Sequence, residues 1–429
     1  MQSSLETLGK LERRLHVTVP QQEIDTEIEK RLKQLTRTVK LRGFRPGKVP
    51  LKVVAQQYGS QVRQEVLGDT VQKTFAAAVK EQNLRVAGFP RIEPKSEDGN
   101  PAQFEYSAIF EIYPEIKLGD LSQGTIERPT LSLSEADVDK TIEIMRKQRV
   151  VYEPVERAAA AGDQVAVDFR GTISGEEFQG GSGVDQVFVL GQGRMLKDFE
   201  NQLLGMRAGE SKTFELHFPE DYHGKELAGK TADFQVTVKR VGQPRIPEVD
   251  AEFAKSLGVA DGDLAKMREE VRSNVEREVK RRVASREKEQ AMQMLIETAE
   301  VELPKALVSA ETRRLREQAN RDARSSNVSL PDDLFVKQAE RRVQLGLILA
   351  ELSKTHDLAP KPAQVREIVQ EHAHSYEHPE EVVKWYYSQP ERLSEAEALA
   401  LENNVVSWVL SQAKVVEKPI AFDDLMGSA

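Results

Sequence analysis

The chain has 429 residues, a formal net charge of −9, 39% apolar and 31% charged residues, and no cysteine. That length accommodates about three domains, and the composition is that of a globular, charge-rich protein. The missing cysteines exclude thiol nucleophiles, disulfide frameworks and cysteine-based zinc sites. The first residues, MQSSLETLGKLERRL, lack the apolar core of a secretory leader, and the densest apolar run, LGLILAEL at 345–352, falls far short of the ~20 residues that span a bilayer. The expected location is the cytoplasm, with no membrane partner.

Taken in chain order, the first third reads as α+β. LERRLHVTVP alternates as a strand, and Ile24, Ile28, Leu32 and Leu35 then recur at helical spacing through about Val39. LRGFRPGKVP, with two Gly and two Pro in ten residues, breaks that helix. A second helical run from Leu51 to about Gln82 carries Val54, Tyr58, Val62, Val66 and Phe75, and QFEYSAIFEIYP alternates as a strand. Ser134 and Asp137 open a capped helix over 134–149. Between about 150 and 243 Gly becomes frequent, and QVAVDFRGTI, KTFELHF and ADFQVTVKRV alternate, which predicts a compact β domain. GQPRIPEVD at 242–250 reads as its exit linker. From Leu264 the pattern is helical, with helices expected over 304–324, 332–355, 363–374, 379–388 and 391–413 between proline breaks. Val271, Val275, Val279 and Val283 form one thin stripe on an otherwise charged helix, which predicts wide exposure.

Charge is unevenly placed. Nine basic residues (Lys30, Arg31, Lys33, Arg37, Lys40, Arg42, Arg45, Lys48, Lys52) and no acidic one lie between 30 and 52, a stretch suited to an anionic partner. Gly224, Gly229, Lys230 and Thr231 match the P-loop pattern G-x-x-x-x-G-K-[ST]. However, the following ADFQVTVKRV alternates as a strand, where a phosphate cradle needs a helix, so no nucleotide is expected. Gly191-Gln192-Gly193 lacks the third glycine and βαβ setting of a dinucleotide site. His372, His374 and His378 precede Pro379 and read as solvated helix-end residues rather than a zinc site; no metal and no cofactor is expected. His217 and His223 have no nucleophilic partner in view.

A set of aromatic and apolar residues does stand out. Phe169, Phe178, Phe188, Met195, Leu196, Phe199, Tyr222 and Phe234 lie over 160–241, and Phe178, Met195 and Tyr222 neighbour turns rather than strand centres. The order VDFRGTISGEEFQGG, VFVLGQGRMLKDFENQLLGMRAGE, FPEDYHGKELAGKTADFQVTV resembles an FKBP-type peptidyl-prolyl isomerase across this segment. The resemblance implies an antiparallel sheet curled around one helix at Lys197–Leu204. It also implies a proline pocket lined by Phe169, Phe178, Met195, Leu196, Phe199, Tyr222 and Phe234, and a Leu196 N–H that binds the substrate carbonyl. Gln179 and Gln186 depart from the family pattern, which has an acidic residue and an aromatic there.

Gly43-Phe44-Arg45-Pro46-Gly47-Lys48, in an N-terminal α+β domain ahead of an FKBP module and a helical half, resembles the bacterial trigger factor family. The similarity extends through VAQQYGSQVRQEVLGD at 54–69 and to the C-terminal half. It implies a multidomain α+β protein with a ribosome-binding domain over 1–112, a connecting segment over 113–149, an inserted FKBP-like antiparallel β domain over 150–243 and an all-α C-terminal domain with extended helical arms over 244–429. The function implied is an ATP-independent chaperone that holds nascent and unfolded chains and isomerises X–Pro bonds. Its partner would be the large ribosomal subunit near the exit tunnel, through ribosomal protein and rRNA, with the 43–48 loop docking there. Whether the free protein is a monomer or a homodimer stays open. A stand-alone isomerase and a free-RNA binder are the other readings, the second weakened because Phe44 is the only aromatic among the basic residues.

Overall fold

The computed structural model describes residues 2–41, 44, 48–95, 102–222, 224, 226–322, 331–374, 376 and 378–427. The chain forms two compact units: Met1–Arg128 with Ser285–Lys418, and Pro129–Ala284 with Pro419–Ala429. Among the described residues no helix is long and apolar enough to cross a membrane.

The chain begins with β1 (Gln2–Thr7), β2 (Glu12–Pro20), α1 (Gln21–Thr38), α2 (Leu51–Glu81), β3 (Val86–Pro94) and β4 (Gln103–Ile112). The strands form one antiparallel sheet in the order β1-β2-β4-β3. Alternation in β2 puts Leu15, Val17 and Val19 on one face, and register pairs Leu15 with Ala108 and Val17 with Tyr106 on β4. Ile24 and Leu32 of α1 and Val54, Val62 and Val66 of α2 close over that face. The buried Tyr106 hydroxyl meets Thr74 Oγ1 at 2.7 Å, so its polar end is satisfied inside the core. Neither β1 nor β3 was expected from the pattern. β1 is an edge strand with one half-buried side chain, and β3 is broken by a bulge between Ala87 and Arg91.

After β5 (Lys117–Leu118), β6 (Thr125–Thr130) and α3 (Glu135–Gln148), the chain builds a second sheet from β7 (Val151–Pro154), β8 (Gln164–Ile173), β9 (Glu176–Val189), β10 (Ser211–His217) and β11 (Thr231–Arg245), with α4 (Lys197–Leu203) between β9 and β10. Strand order is β10-β11-β8-β9, and β7 pairs with the far end of β11. Val165 and Val167 of β8 and Val236 and Val238 of β11 face α4, whose Phe199 and Leu203 plug the concave side. The 242–250 linker is therefore shorter than its Gly and Pro content implied. Residues 242–245 continue β11 because Gly242 and Arg245 pair with Pro154 and Val151.

The rest comprises α5 (Ala251–Ser256), α6 (Leu264–Thr298), β12 (Ala299–Glu300), α7 (Lys305–Asp322), α8 (Asp333–Thr355), α9 (Pro362–Ala373), α10 (Pro379–Tyr387), α11 (Pro390–Gln412), β13 (Lys414–Pro419) and α12 (Phe422–Met426). The expected helix over 304–324 is described as α7 from Lys305 to Asp322; Ala323 and Arg324 lie outside the described residues. β12 pairs with β5 and β13 with β6, two short strands hidden in helical periodicity. In the second unit the thin stripe of α6 is covered: Val271 and Val275 pack with Val138 and Ile142 of α3, Phe253 of α5 and Phe422 of α12. In the first unit, Ala291, Met292, Met294 and Leu295 of α6 join Leu121, Ile126, Ile348, Val405 and Val409.

One buried charge braces the second sheet. Asp163 is 2% exposed and accepts hydrogen bonds from the Arg157 guanidinium at 2.6 and 2.9 Å and from Ala160 N–H at 2.8 Å. Burial pushes its carboxyl up, but the bonds from Arg157 and Ala160 together with the guanidinium charge outweigh that and hold it below the usual carboxylate range. A lowered folded-state pKa contributes stability that is complete above the unfolded value of ~3.9 and lost as pH falls through it toward the folded value. Asp163→Asn should cost about 2 kcal/mol at neutral pH, below the cost for a fully buried pair because Arg157 is partly solvated. Urea unfolding at pH 7 and in the acid range checks this: the gap between variant and wild type should narrow in acid, and an unchanged gap contradicts it.

Candidate functional site

The second sheet holds a cavity of about 680 Å³ lined by Phe169, Phe178, Met195, Leu196, Phe199, Tyr222 and Phe234. All seven pocket residues expected from the sequence meet there. Phe169 comes from β8, Phe178 from β9 and Phe234 from β11, while Met195 and Leu196 precede α4 and Phe199 lies inside it. Phe199 is the floor. Its ring stands edge-on to Phe169 at 5.8 Å and to Phe234 at 5.5 Å between centroids. Phe178 meets Phe234 edge-on at 6.1 Å, and Tyr222 packs on Phe218 at 4.9 Å.

The sheet makes room for these rings with missing side chains. A Cβ on Gly171 would lie 2.7 Å from Phe234, one on Gly181 2.9 Å from Phe178, and one on Gly183 2.7 Å from Phe169. Each ring therefore occupies the space a larger residue on β8 or β9 would fill. Neither these glycines nor Phe218 was singled out from the sequence. Phe218 was legible as the third member of Phe214, Leu216, Phe218, which alternate on one face of β10 and just beyond it.

Leu196 caps α4 with extended backbone, and its carbonyl accepts the Glu200 N–H at 3.0 Å. Among the described residues, its own N–H has no acceptor. Gln179 lies on the cavity wall, whereas Gln186 is exposed and packs over Gly183, outside the lining.

The P-loop match lies on the cavity's other rim. Leu227 and Ala228 N–H donate to Gly224 O at 2.8 and 3.1 Å, Gly229 N–H to Phe218 O at 3.1 Å, and Lys230 N–H to Leu227 O at 3.0 Å. Four of the described N–H groups a phosphate would need are thus already bonded to carbonyls, and Thr231 begins β11 rather than a helix. His223 and Lys225 lie outside the described residues. His372 belongs to α9 and contacts the Tyr376 and Tyr386 rings, while His374 and His378 sit on opposite sides of the break before α10. Among the described residues no group of three or more His, Asp or Glu is arranged to hold a metal ion.

The basic segment spans the end of α1, the following loop and the start of α2. The loop's base is fixed by buried Val49 and by Val39 and Leu41 against the first sheet's core. Phe44 is 39% exposed, its N–H donates to Leu41 O at 3.2 Å, and Lys48 is exposed. Arg42, Gly43, Arg45, Pro46 and Gly47 lie outside the described residues. Lys30, Arg31 and Lys33 pair with Glu27, Asp69 and Glu29. Among the described residues Arg37, Lys40, Lys48 and Lys52 form no ion pair, so the uncompensated charge gathers toward the loop.

Comparison with known proteins gives three family matches: residues 1–145 match the family described as bacterial trigger factor protein, 155–239 the FKBP-type peptidyl-prolyl cis-trans isomerases, and 263–411 the bacterial trigger factor C-terminus. The chain is 58% identical over 433 residues to the trigger factor of Nitrosospira multiformis, covering 100% of both chains. It is 54% identical to that of Aromatoleum aromaticum, again over 100% of both, and 49% identical to that of Nitrosomonas europaea over 100% of this chain and 98% of the relative. A solved structure described as concerning promiscuous substrate recognition in folding and assembly activities of the trigger factor chaperone aligns with a TM-score of 0.50 at 19% identity, over 96% of this chain and 100% of its own. A stand-alone isomerase does not fit a chain whose flanks match in this way.

Proposed function

Because the chain belongs to the bacterial trigger factor family and carries an FKBP-type isomerase domain, we propose that it is a cytoplasmic, nucleotide-independent chaperone that docks on ribosomes and rotates X–Pro bonds in the chains it holds. The division we propose is a docking domain over 1–112, a connector over 113–149, an isomerase domain over 150–243 and a helical client-holding domain over 244–429.

The observation that carries the isomerase reading is the aromatic cavity. An X–Pro bond resists rotation by ~18–20 kcal/mol because its amide is conjugated. Twisting removes the conjugation and the charge separation that goes with it, so a dry, apolar wall favours the twisted amide over the planar one. A volume of about 680 Å³ takes a prolyl ring and its neighbours. Phe199 and Phe234 are the floor for the ring, Phe169, Phe178, Met195 and Tyr222 the walls, and Leu196 N–H the donor that fixes the carbonyl. Such a site requires no acid, base or metal.

Docking is assigned to the loop after α1. Uncompensated Arg37, Lys40, Lys48 and Lys52, with Arg45, suit rRNA phosphates or an acidic protein face, and exposed Phe44 supplies an apolar anchor. Client holding is assigned to scattered exposed apolar residues of the helical half, among them Leu334, Tyr376, Trp385 and Tyr387, set in charged surface.

Phe169 is only partly buried, so Phe169→Ala should keep the fold. We expect kcat/KM on a proline tetrapeptide to drop about tenfold or more; an unchanged value in a folded variant contradicts the assignment. In ribosome cosedimentation, Phe44→Ala/Arg45→Ala should pellet much less than wild type at moderate salt and show no comparable loss on free RNA. Equal pelleting of the two proteins contradicts docking by this loop.

A further inference from the structure

The loop that carries Met195 and Leu196 to the cavity has little holding it. Gln192, Gly193 and Arg194 are exposed, and Gly191 and Gly193 take φ of +92° and +69°, which glycine adopts without strain. Behind the loop is a second cavity of about 330 Å³, lined by Leu190, Gly191, Gly193, Lys197, Glu200 and Leu204 among others. Gly193 borders both cavities, so the loop is a thin wall with open space at its back.

Glu200 crosses that space. It follows the floor residue Phe199 on α4 and is only 6% exposed. One carboxylate oxygen accepts Gly191 N–H at 2.8 Å and the other accepts Met195 N–H at 3.4 Å. Among the described residues, the one other backbone bond donated from 191–195 is Gln192 N–H to Val189 O at 3.4 Å. Burying a carboxylate is costly unless its oxygens are satisfied, and an apolar side chain would fill the space more cheaply. What an apolar side chain lacks is two acceptors on one rigid group, spaced to tie both ends of a five-residue loop.

We infer that Glu200 is a positioning residue for the isomerase reaction, resting on the reading of the aromatic cavity given above. Its carboxylate holds the Gly191–Met195 loop in place over the cavity behind it. Leu196 N–H and the Met195 side chain then meet the substrate without first being ordered. Because the donor must match the twisted amide, a loosened loop lowers the rate more than it weakens ground-state binding. Glutamine preserves the shape but replaces one acceptor with an NH2 group that faces a backbone N–H. Aspartate keeps both acceptors but falls short by one methylene.

The test uses the full-length protein with Glu200→Gln and Glu200→Asp, a proline tetrapeptide as substrate, amide hydrogen exchange, and circular dichroism to confirm the fold. For Glu200→Gln we expect kcat to fall roughly ten- to a hundredfold with KM within about twofold of wild type. The Met195 amide should exchange about tenfold faster, and Glu200→Asp should fall between the two. Unchanged kcat, a loss that only tracks the unfolded fraction, or a raised KM with kcat intact overturns the inference. Should Glu200→Gln fail to fold, Glu200→Asp decides by the same criteria. A wild type that responds to Phe169→Ala but not to Glu200→Gln overturns this inference alone; a wild type without activity overturns the isomerase reading with it.

Discussion

Phe199 held edge-on between Phe169 and Phe234 is the contact on which the shape of the second sheet's cavity depends. The ring is buried at the start of α4, and its two partners lie on strands adjacent in the sheet. Phe234 can reach it only because its register partner on β8 is Gly171, and Phe169 only because Gly183 faces it on β9. The constraint runs both ways. The glycines weaken the strands as strands, and the rings restore the packing while leaving an apolar hollow above them. One arrangement thus supplies both the core of the sheet and the floor of the cavity proposed as the isomerase site.

The first unit is discontinuous in sequence, and this shapes how the chain must be assembled. Strand β5 pairs with β12, Lys117 opposite Glu300, Lys414 N–H donates to Gly124 O at 3.0 Å, and Ile126 shares a core with Val405 and Val409. The α1–α2 hairpin, by contrast, packs on a sheet complete by Ile112. The surface assigned to docking therefore rests on local structure, while the helical part of this unit is tied to it by contacts far apart in sequence. Of the basic stretch, Lys30, Arg31 and Lys33 are neutralised within the fold, whereas among the described residues Arg37, Lys40, Lys48 and Lys52 form no ion pair.

Much of this was legible in the sequence where the signal is local. Alternation located β2, β4, β8, β10 and β11, helical spacing located α1, α2 and α6 to α11, and the seven lining residues came from a resemblance carried by spaced motifs. The misses have physical causes. β1 and β3 are edge strands whose side chains are mostly solvated, so they lack clean alternation. β12 is only two residues long, and both β12 and β13 are defined by partners far along the chain. Residues 242–245 read as linker because glycine and proline mark turns on average, yet an outer pairing with β7 tolerates them. The roles of Gly171, Gly181 and Gly183 depend on which ring faces each one, a relation across strands that one-dimensional spacing does not contain. The buried carboxylate Glu200 looks like any other charged helix residue until its two N–H donors are seen.

On the function proposed above, the aromatic cavity, and not the exposed residues of the helical half, holds the prolyl group during rotation. Amide hydrogen exchange of the full chain with and without a saturating proline tetrapeptide tests it most directly. Slowed exchange is expected over 191–196 and 218–230, with little change in α7–α11. Protection confined to the helices, with the amides around Leu196 and Phe218 unaffected, would contradict it.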